Sequence, residues 1–251
     1  MKLKSKLLLA LLATSSAAFA QTAPAAPEST LGYNVGVFSE YRYRGLAQTK
    51  GDVALQGGVD YADASGLYVG AWASTIKWIK DAGSNATGPV ELDLYGGYKF
   101  EAAGLAYDVG YLRYQYVGNT YSKTGGVNAN TDEAYGAVTA GPATLKYSYA
   151  FSDLFGFTNS KGSTYWDLSA TFDLGDGYSL VPHAGRQAVA NNKAYSYTDI
   201  ALTLNKDFGE GLVGSVSAIS TSGAGKAAFE SVVSKYDTAK NALVVGVKYS
   251  F

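Results

Sequence analysis

A single histidine and no cysteine limit the chemistry open to this chain of 251 residues. Structural and catalytic zinc sites are built from several Cys, His and carboxylate ligands. His183 alone offers no such set, so neither a metal nor a cofactor is expected. A serine hydrolase sets a His against a nucleophilic Ser and orients the ring with a third group. Here the local run is His183-Ala184-Gly185, with no serine two positions on. Asp132 and Asp153 fall near one rim of the expected fold but form no paired acid constellation. Gly223-Ala224-Gly225-Lys226 lacks the earlier glycine and the following Ser/Thr of a phosphate loop. The chain is therefore not expected to be an enzyme.

The charged residues are instead spaced by two. Glu40, Arg42 and Arg44 follow this rule, and so do Glu91 and Asp93. Side chains two apart share one face of a β-strand, so the charges imply strands with one polar and one apolar face. In 90–101 Val90, Leu92, Leu94, Gly96, Tyr98 and Phe100 alternate with Glu91, Asp93, Tyr95, Gly97, Lys99 and Glu101. In 164–174 Trp166, Leu168, Ala170, Phe172 and Leu174 alternate with Asp167, Ser169, Thr171 and Asp173. Twelve such segments are predicted: 31–44, 53–61, 66–76, 90–100, 105–117, 132–140, 143–151, 164–174, 177–187, 196–206, 211–220 and 241–251. Both faces of 66–76 are apolar, which leaves its orientation open. The alternation in 105–117 lapses near Arg113, where a bulge is expected.

The ends and the composition point to an exported chain. Residues 1–6 carry three lysines and no acid, Leu7 to Leu12 is apolar, and Ala18-Phe19-Ala20 is a small-x-small cleavage signature. Together these form a signal peptide over 1–20, followed by a flexible leader over 21–30. No later run approaches the roughly 20 apolar residues of a membrane helix. Net charge is −1 with no basic cluster, which argues against nucleic acid. The 21 tyrosines and 30 glycines suit strands, turns and membrane-interface belts.

The expected connections alternate between short (62–65, 101–104, 141–142, 175–176, 207–210) and long (45–52, 77–89, 118–131, 153–163, 188–195, 221–240). An even strand count with tight turns at one end and long loops at the other is the plan of an outer-membrane barrel. A soluble sandwich also alternates, but its strands are often shorter and its loops lack this regular alternation. The fold class is therefore all-β: a transmembrane antiparallel up-and-down barrel over 31–251. Its short turns would face the periplasm and its long loops the outside. Two or three helical turns are expected within 226–235, outside the barrel mouth.

The block Ser39-Glu40-Tyr41-Arg42-Tyr43-Arg44-Gly45-Leu46-Ala47-Gln48-Thr49 resembles the signature of the TorF-type porins, a proteobacterial family of outer-membrane barrels. The resemblance continues through 54–61, 66–70, 91–98, 107–111, 146–149 and 175–178, and so covers most of the chain after the leader. The chain departs from it at Val117-Gly118, where Pro-Gly is expected after Tyr116. The resemblance implies transport without naming a solute and carries no catalytic residues. Barrels of this kind commonly end on an aromatic residue read by the insertion machinery, and Phe251 ends this chain.

With the apolar faces toward lipid, the polar faces line a lumen. The residues expected to line it are Glu40, Arg42, Arg44, Asp60, Glu91, Asp93, Lys99, Asp108, Lys146, Asp167, Asp173, His183, Asp199 and Lys248. The first three would form a charged ladder up the first strand. Charges of both signs either select solutes or pair across strands and hold the wall together, as Lys99 and Asp108 would across the 101–104 turn. The aromatic residues, including Trp72, Trp78 and Trp166, suit interfacial girdles. The expected function is a narrow channel for small polar solutes in the bacterial outer membrane. The chain would act as a monomer among outer-membrane lipid and lipopolysaccharide. The alternative is a structural or adhesive barrel that works through its loops, with a barrel hydrolase ranked behind it.

Overall fold

The computed structural model describes residues 29–223, 229–230 and 235–251. The expected signal peptide, residues 21–28 of the leader and most of 226–235 lie outside the described residues. Twelve antiparallel strands form the wall: β1 (Thr30–Phe38), β2 (Ala54–Ala62), β3 (Leu67–Thr75), β4 (Val90–Ala102), β5 (Leu105–Val117), β6 (Thr131–Ala140), β7 (Ala143–Ala150), β8 (Thr164–Ala170, resumed at Phe172–Gly175), β9 (Tyr178–Ala188), β10 (Tyr197–Gly209), β11 (Leu212–Ser222) and β12 (Ala242–Ser250). Each pairs with its sequence neighbours, and β12 returns to β1 with Val35 opposite Tyr249 and Val37 opposite Val247. The sheet is thus a closed ring. In lipid every backbone N–H and C=O needs a protein partner, and closure leaves no open edge.

Burial is inverted relative to a soluble protein. On β12 Leu243, Val245, Val247 and Tyr249 are exposed, while Val244, Gly246 and Lys248 between them are buried. On β1 Leu31, Tyr33, Val35 and Val37 face out. The apolar face clothes the barrel and the polar face is inside, as the alternation implies.

One end of the ring has tight turns. Ala103-Gly104, Asp176-Gly177 and Glu210-Gly211 each hold positive φ at both residues. That is the type I′ geometry whose twist matches that of the paired strands. Outward aromatics gather at this end: Tyr33 stacks on Phe251 (5.7 Å), Phe251 on Tyr249 (5.7 Å), and Phe100 on Tyr98 (5.7 Å) and Tyr107 (5.1 Å). The other end carries the long loops. They pack on one another through Ile79 of the short helix α1 (Trp78–Asp81), Ala86, Ala129, Leu154 and Val189, all buried.

Three local expectations are corrected and one orientation left open, that of 66–76, is decided. The first strand ends at Phe38 and not at Arg44. No bulge interrupts β5, whose register with β4 runs unbroken from Val90–Val117 to Ala102–Leu105. The alternation lapses there because Arg113 stands on the outer face and pairs with outward Asp132 (2.6 Å). In β3, Leu67 and Val69 face out while Tyr68 and Trp72 face in. Of the three tryptophans only Trp166 stands on the outer wall; Trp72 packs edge-on against Tyr41 inside (5.4 Å), and Trp78 packs in the loop layer against Tyr116 (5.2 Å).

The inverted pattern makes a prediction. Leu202, outward at mid-β10, tolerates no charge: Leu202→Arg lowers stability by about 2–4 kcal/mol. Ser217→Ala on the inner face costs less. Urea titration of the barrel refolded in vesicles measures both, and equal losses would contradict the assigned faces.

Candidate functional site

The chain leaves the wall after Ser39, whose N–H bonds Val245 O at 2.8 Å. It does not continue upward but turns into the lumen as a small hairpin. Arg42–Tyr43 pairs with Leu46–Ala47, and the base is tied by Gln48 N–H to Tyr41 O (2.8 Å) and Tyr41 N–H to Thr49 Oγ1 (3.0 Å). The tip is Arg44-Gly45, both at positive φ (45° and 78°). Gly45 is required twice over. Its backbone conformation disfavours a side chain, and a Cβ there would run into Thr221 Oγ1 and Asp199 Cβ.

The hairpin spans the lumen. Arg44 makes a bidentate pair with Glu133 of β6 (Nη2–Oε2 2.7 Å, Nη1–Oε1 2.9 Å). It also donates to Gln187 Oε1 of β9 (2.9 Å) and lies over the Tyr165 ring at 4.3 Å. Thr221 of β11 donates to Gly45 O (2.9 Å). One side chain and one carbonyl thus reach four different wall strands. Arg42 secures the base: Nε donates to Glu40 (2.8 Å), and Nη1 to Gly45 O (3.1 Å), Thr238 O (3.1 Å) and Lys240 O (2.7 Å). Tyr236 Oη donates to Glu40 (2.8 Å). The described part of the 223–241 connection therefore seats on the hairpin. Both arginines are 4% exposed, so bonds of this kind must offset their desolvation.

The rest of the inner wall is a set of tyrosine–carboxylate bonds across strands. Tyr41 donates to Glu91 (2.7 Å), Tyr68 to Asp108 (2.6 Å), Tyr95 to Asp60 (2.5 Å), Tyr114 to Glu133 (3.2 Å) and Tyr165 to Asp199 (3.0 Å). Tyr43 and Tyr114 share a hydroxyl contact, as do Tyr68 and Tyr135. His183 lies between two acids, with Nε2 3.4 Å from Asp167 and Nδ1 3.5 Å from Asp199. Tyr165 Oη adds a contact to Nε2 at 3.3 Å. Both ring nitrogens thus face carboxylates, and neither is directed at a serine.

The structure redistributes the expected lumen residues. Glu40, Arg42 and Arg44 are in the lumen on the hairpin, not as a ladder on the wall. The ladder fails because Ser39 takes the last β12 bond and the next polar residues find partners across the interior. Asp60, Glu91, Asp93, Asp108, Lys146, Asp167, His183, Asp199 and Lys248 stand on the inner wall. Lys146 lies over the Tyr135 ring at 3.9 Å. Lys99 is exposed toward the short-turn end; its Nζ is 4.9 Å from the Tyr68 ring, and Asp108 takes the Tyr68 hydroxyl. Asp173 is exposed, with Oδ1 accepting the Gly175 N–H (2.8 Å), and so shapes a turn instead of lining the interior.

Sequence reasoning missed Glu133, Gln187 and the inward tyrosines. Glu133 shares parity with Tyr135, Ala137 and Thr139, a face with too little charge to stand out. At the hairpin's level a pocket of about 10 Å³ is bounded by Phe38, Arg42, Gln56, Thr203, Ser217 and Val244, roughly the room for one water. The hairpin residues Tyr41, Arg42 and Arg44 are buried.

The pinning bond is measurable. Arg44→Ala leaves the buried Glu133 carboxylate unpaired and costs about 3–5 kcal/mol. Glu133→Gln in the same chain restores part of that loss. A double-mutant cycle by urea unfolding in vesicles reads the coupling, and strict additivity would rule out the pair as the anchor.

In overall shape the chain is similar to two solved porins. A structure described as "KdgM porin in complex with disordered oligogalacturonate" superposes with a TM-score of 0.54 at 10% identity, covering 89% of this chain and 99% of that one. A NanC porin superposes with a TM-score of 0.57 at 12% identity, covering 88% and 99%. At such identities the likeness is one of fold. No curated protein matches the sequence. A family model described as "Bacterial protein of unknown function (Gcw_chp)" matches residues 21–251, and the chain belongs to that family.

Proposed function

We propose that the protein is an outer-membrane channel for small hydrophilic solutes, in which the 39–50 hairpin is the constriction. The observation that carries this reading is a closed twelve-strand ring that is apolar outside, charged and hydroxyl-rich inside, and wide enough to hold a hairpin. Eight strands leave an interior filled by side chains, while 16–18 leave an open aqueous channel; twelve lie between. The shared architecture with the KdgM and NanC porins supports the reading. So does the resemblance of residues 39–49, now the hairpin itself, to the TorF-type porins. On this reading the long loops face the outside and the short turns the periplasm.

Conduction requires solutes to pass the hairpin. Its tip is held by polar contacts, an ion pair and a few hydrogen bonds, while Tyr41 and Tyr43 pack against Trp72, Tyr114 and Phe155. The polar contacts of the tip can be exchanged for water or solute more readily than a hydrophobic plug. The hairpin bonded across the lumen favours the second reading, a non-conducting structural barrel whose loops carry the function.

Single-channel recording in planar bilayers separates them. The wild type gives discrete steps, and Arg44→Gln/Glu133→Gln gives larger or more frequent ones because the tip is released. Steps unchanged by the substitution would keep the channel and move its constriction elsewhere. Silence from both proteins, with folding verified, would leave the structural barrel.

A further inference from the structure

Basic side chains on the outer wall are treated differently on the two sides of the barrel. On β5, Arg113 is neutralised by Asp132 at 2.6 Å and bonds Gln115 Oε1 at 3.1 Å. On β9, Arg186 is exposed, and among the described residues its side chain bonds Thr198 Oγ1 at 3.4 Å. Among the described residues neither it nor exposed Lys193, on the loop that follows, forms an ion pair. Arg186 precedes the end of β9 at Ala188 by two residues, about 7 Å along the strand. Its register partner on β8 is outward Trp166, an amphipathic ring of the kind favoured at the interface between hydrocarbon and headgroups.

Arg186 and Lys193 line one pocket of about 420 Å³, with Ala188, Ala190, Asn191 and Ser196. Beside it an apolar depression of about 550 Å³ runs over the outer faces of β10 to β12, bounded by Ile200, Leu202, Ala218 and Leu243. The two adjoin: Arg186 pairs in register with Thr198, and outward Ile200 is the next residue down that face. A cationic pocket at headgroup depth thus opens beside an apolar trough.

We propose that this face is a binding site for a phosphorylated lipid of the leaflet around the long loops. Its phosphate is held by Arg186 and Lys193, and an acyl chain lies along the Ile200–Leu243 trough. A guanidinium offers two parallel donors to phosphate oxygens, which supplies the anion that the protein withholds here and provides at Arg113. The site is independent of whether the lumen conducts.

Native mass spectrometry of the folded barrel in non-ionic detergent tests this with diphosphoryl lipid A and the same lipid lacking phosphates. The wild type retains the phosphorylated lipid at least ten-fold better. Arg186→Gln/Lys193→Gln loses that preference, while Arg113→Gln keeps it. Equal retention of the two lipids by the wild type overturns the proposal, as does a preference that survives in the double variant. Lys193→Gln alone, on an exposed loop, gives a partial loss should the double variant fail to fold. Channel recordings on the same preparations report the conduction reading separately.

Discussion

Pairing of β12 with β1 is the constraint from which the rest follows. A sheet of this size in lipid has no solvent to satisfy its edges, so the last strand must find the first. Val35 opposite Tyr249 and Val37 opposite Val247 set that seam. Once it is closed, alternation becomes an inside and an outside. Alternate residues along the strands face out, most of them apolar, and the remainder face an interior that must accept charge.

The abundance of tyrosine reflects both commitments. One population lies on the outer wall, where Tyr33, Tyr98, Tyr107 and Tyr249 stack with phenylalanines near the short turns. Amphipathic rings are favoured at that depth. The other stands inside, where the rings fill space and the hydroxyls of Tyr41, Tyr68, Tyr95, Tyr114 and Tyr165 donate to carboxylates. A buried acid without a cation is costly, and these hydroxyls supply donors where lysine and arginine are too few. Gly185 shows how closely the interior is fitted, since the Tyr165 hydroxyl occupies the place its Cβ would take.

Twelve strands enclose more width than wall side chains can fill, and the hairpin occupies the difference. Its position rests on polar contacts to β6, β9 and β11. These are specific in geometry, through the bidentate Arg44–Glu133 pair, yet exchangeable with water. The same physics operates in reverse on the outer surface, where a cation lacking a protein anion at Arg186 marks a place for a lipid one.

Periodicity alone determined the architecture: twelve amphipathic segments, their inward and outward residues, and the alternation of tight turns with long loops. Period two is a local property, and a closed sheet in lipid preserves it strand by strand. The tight turns were legible in place for the same reason, though backbone geometry centres them on Asp176-Gly177 and Glu210-Gly211, a residue beyond where the spacing put them. Tertiary structure decided what local pattern could not express. Glu40, Arg42 and Arg44 continue the period of β1 without a break, so nothing in their spacing separates a wall from a hairpin. The choice was made by Glu133, Gln187 and Thr221, some 90 to 180 residues away in sequence. Strand β3 was ambiguous because both its faces are apolar, and only its register between β2 and β4, with Trp72 opposite inward Asp93, turned Tyr68 and Trp72 inward. An ion pair across a lumen depends on the diameter of the closed ring, a quantity that no single strand contains.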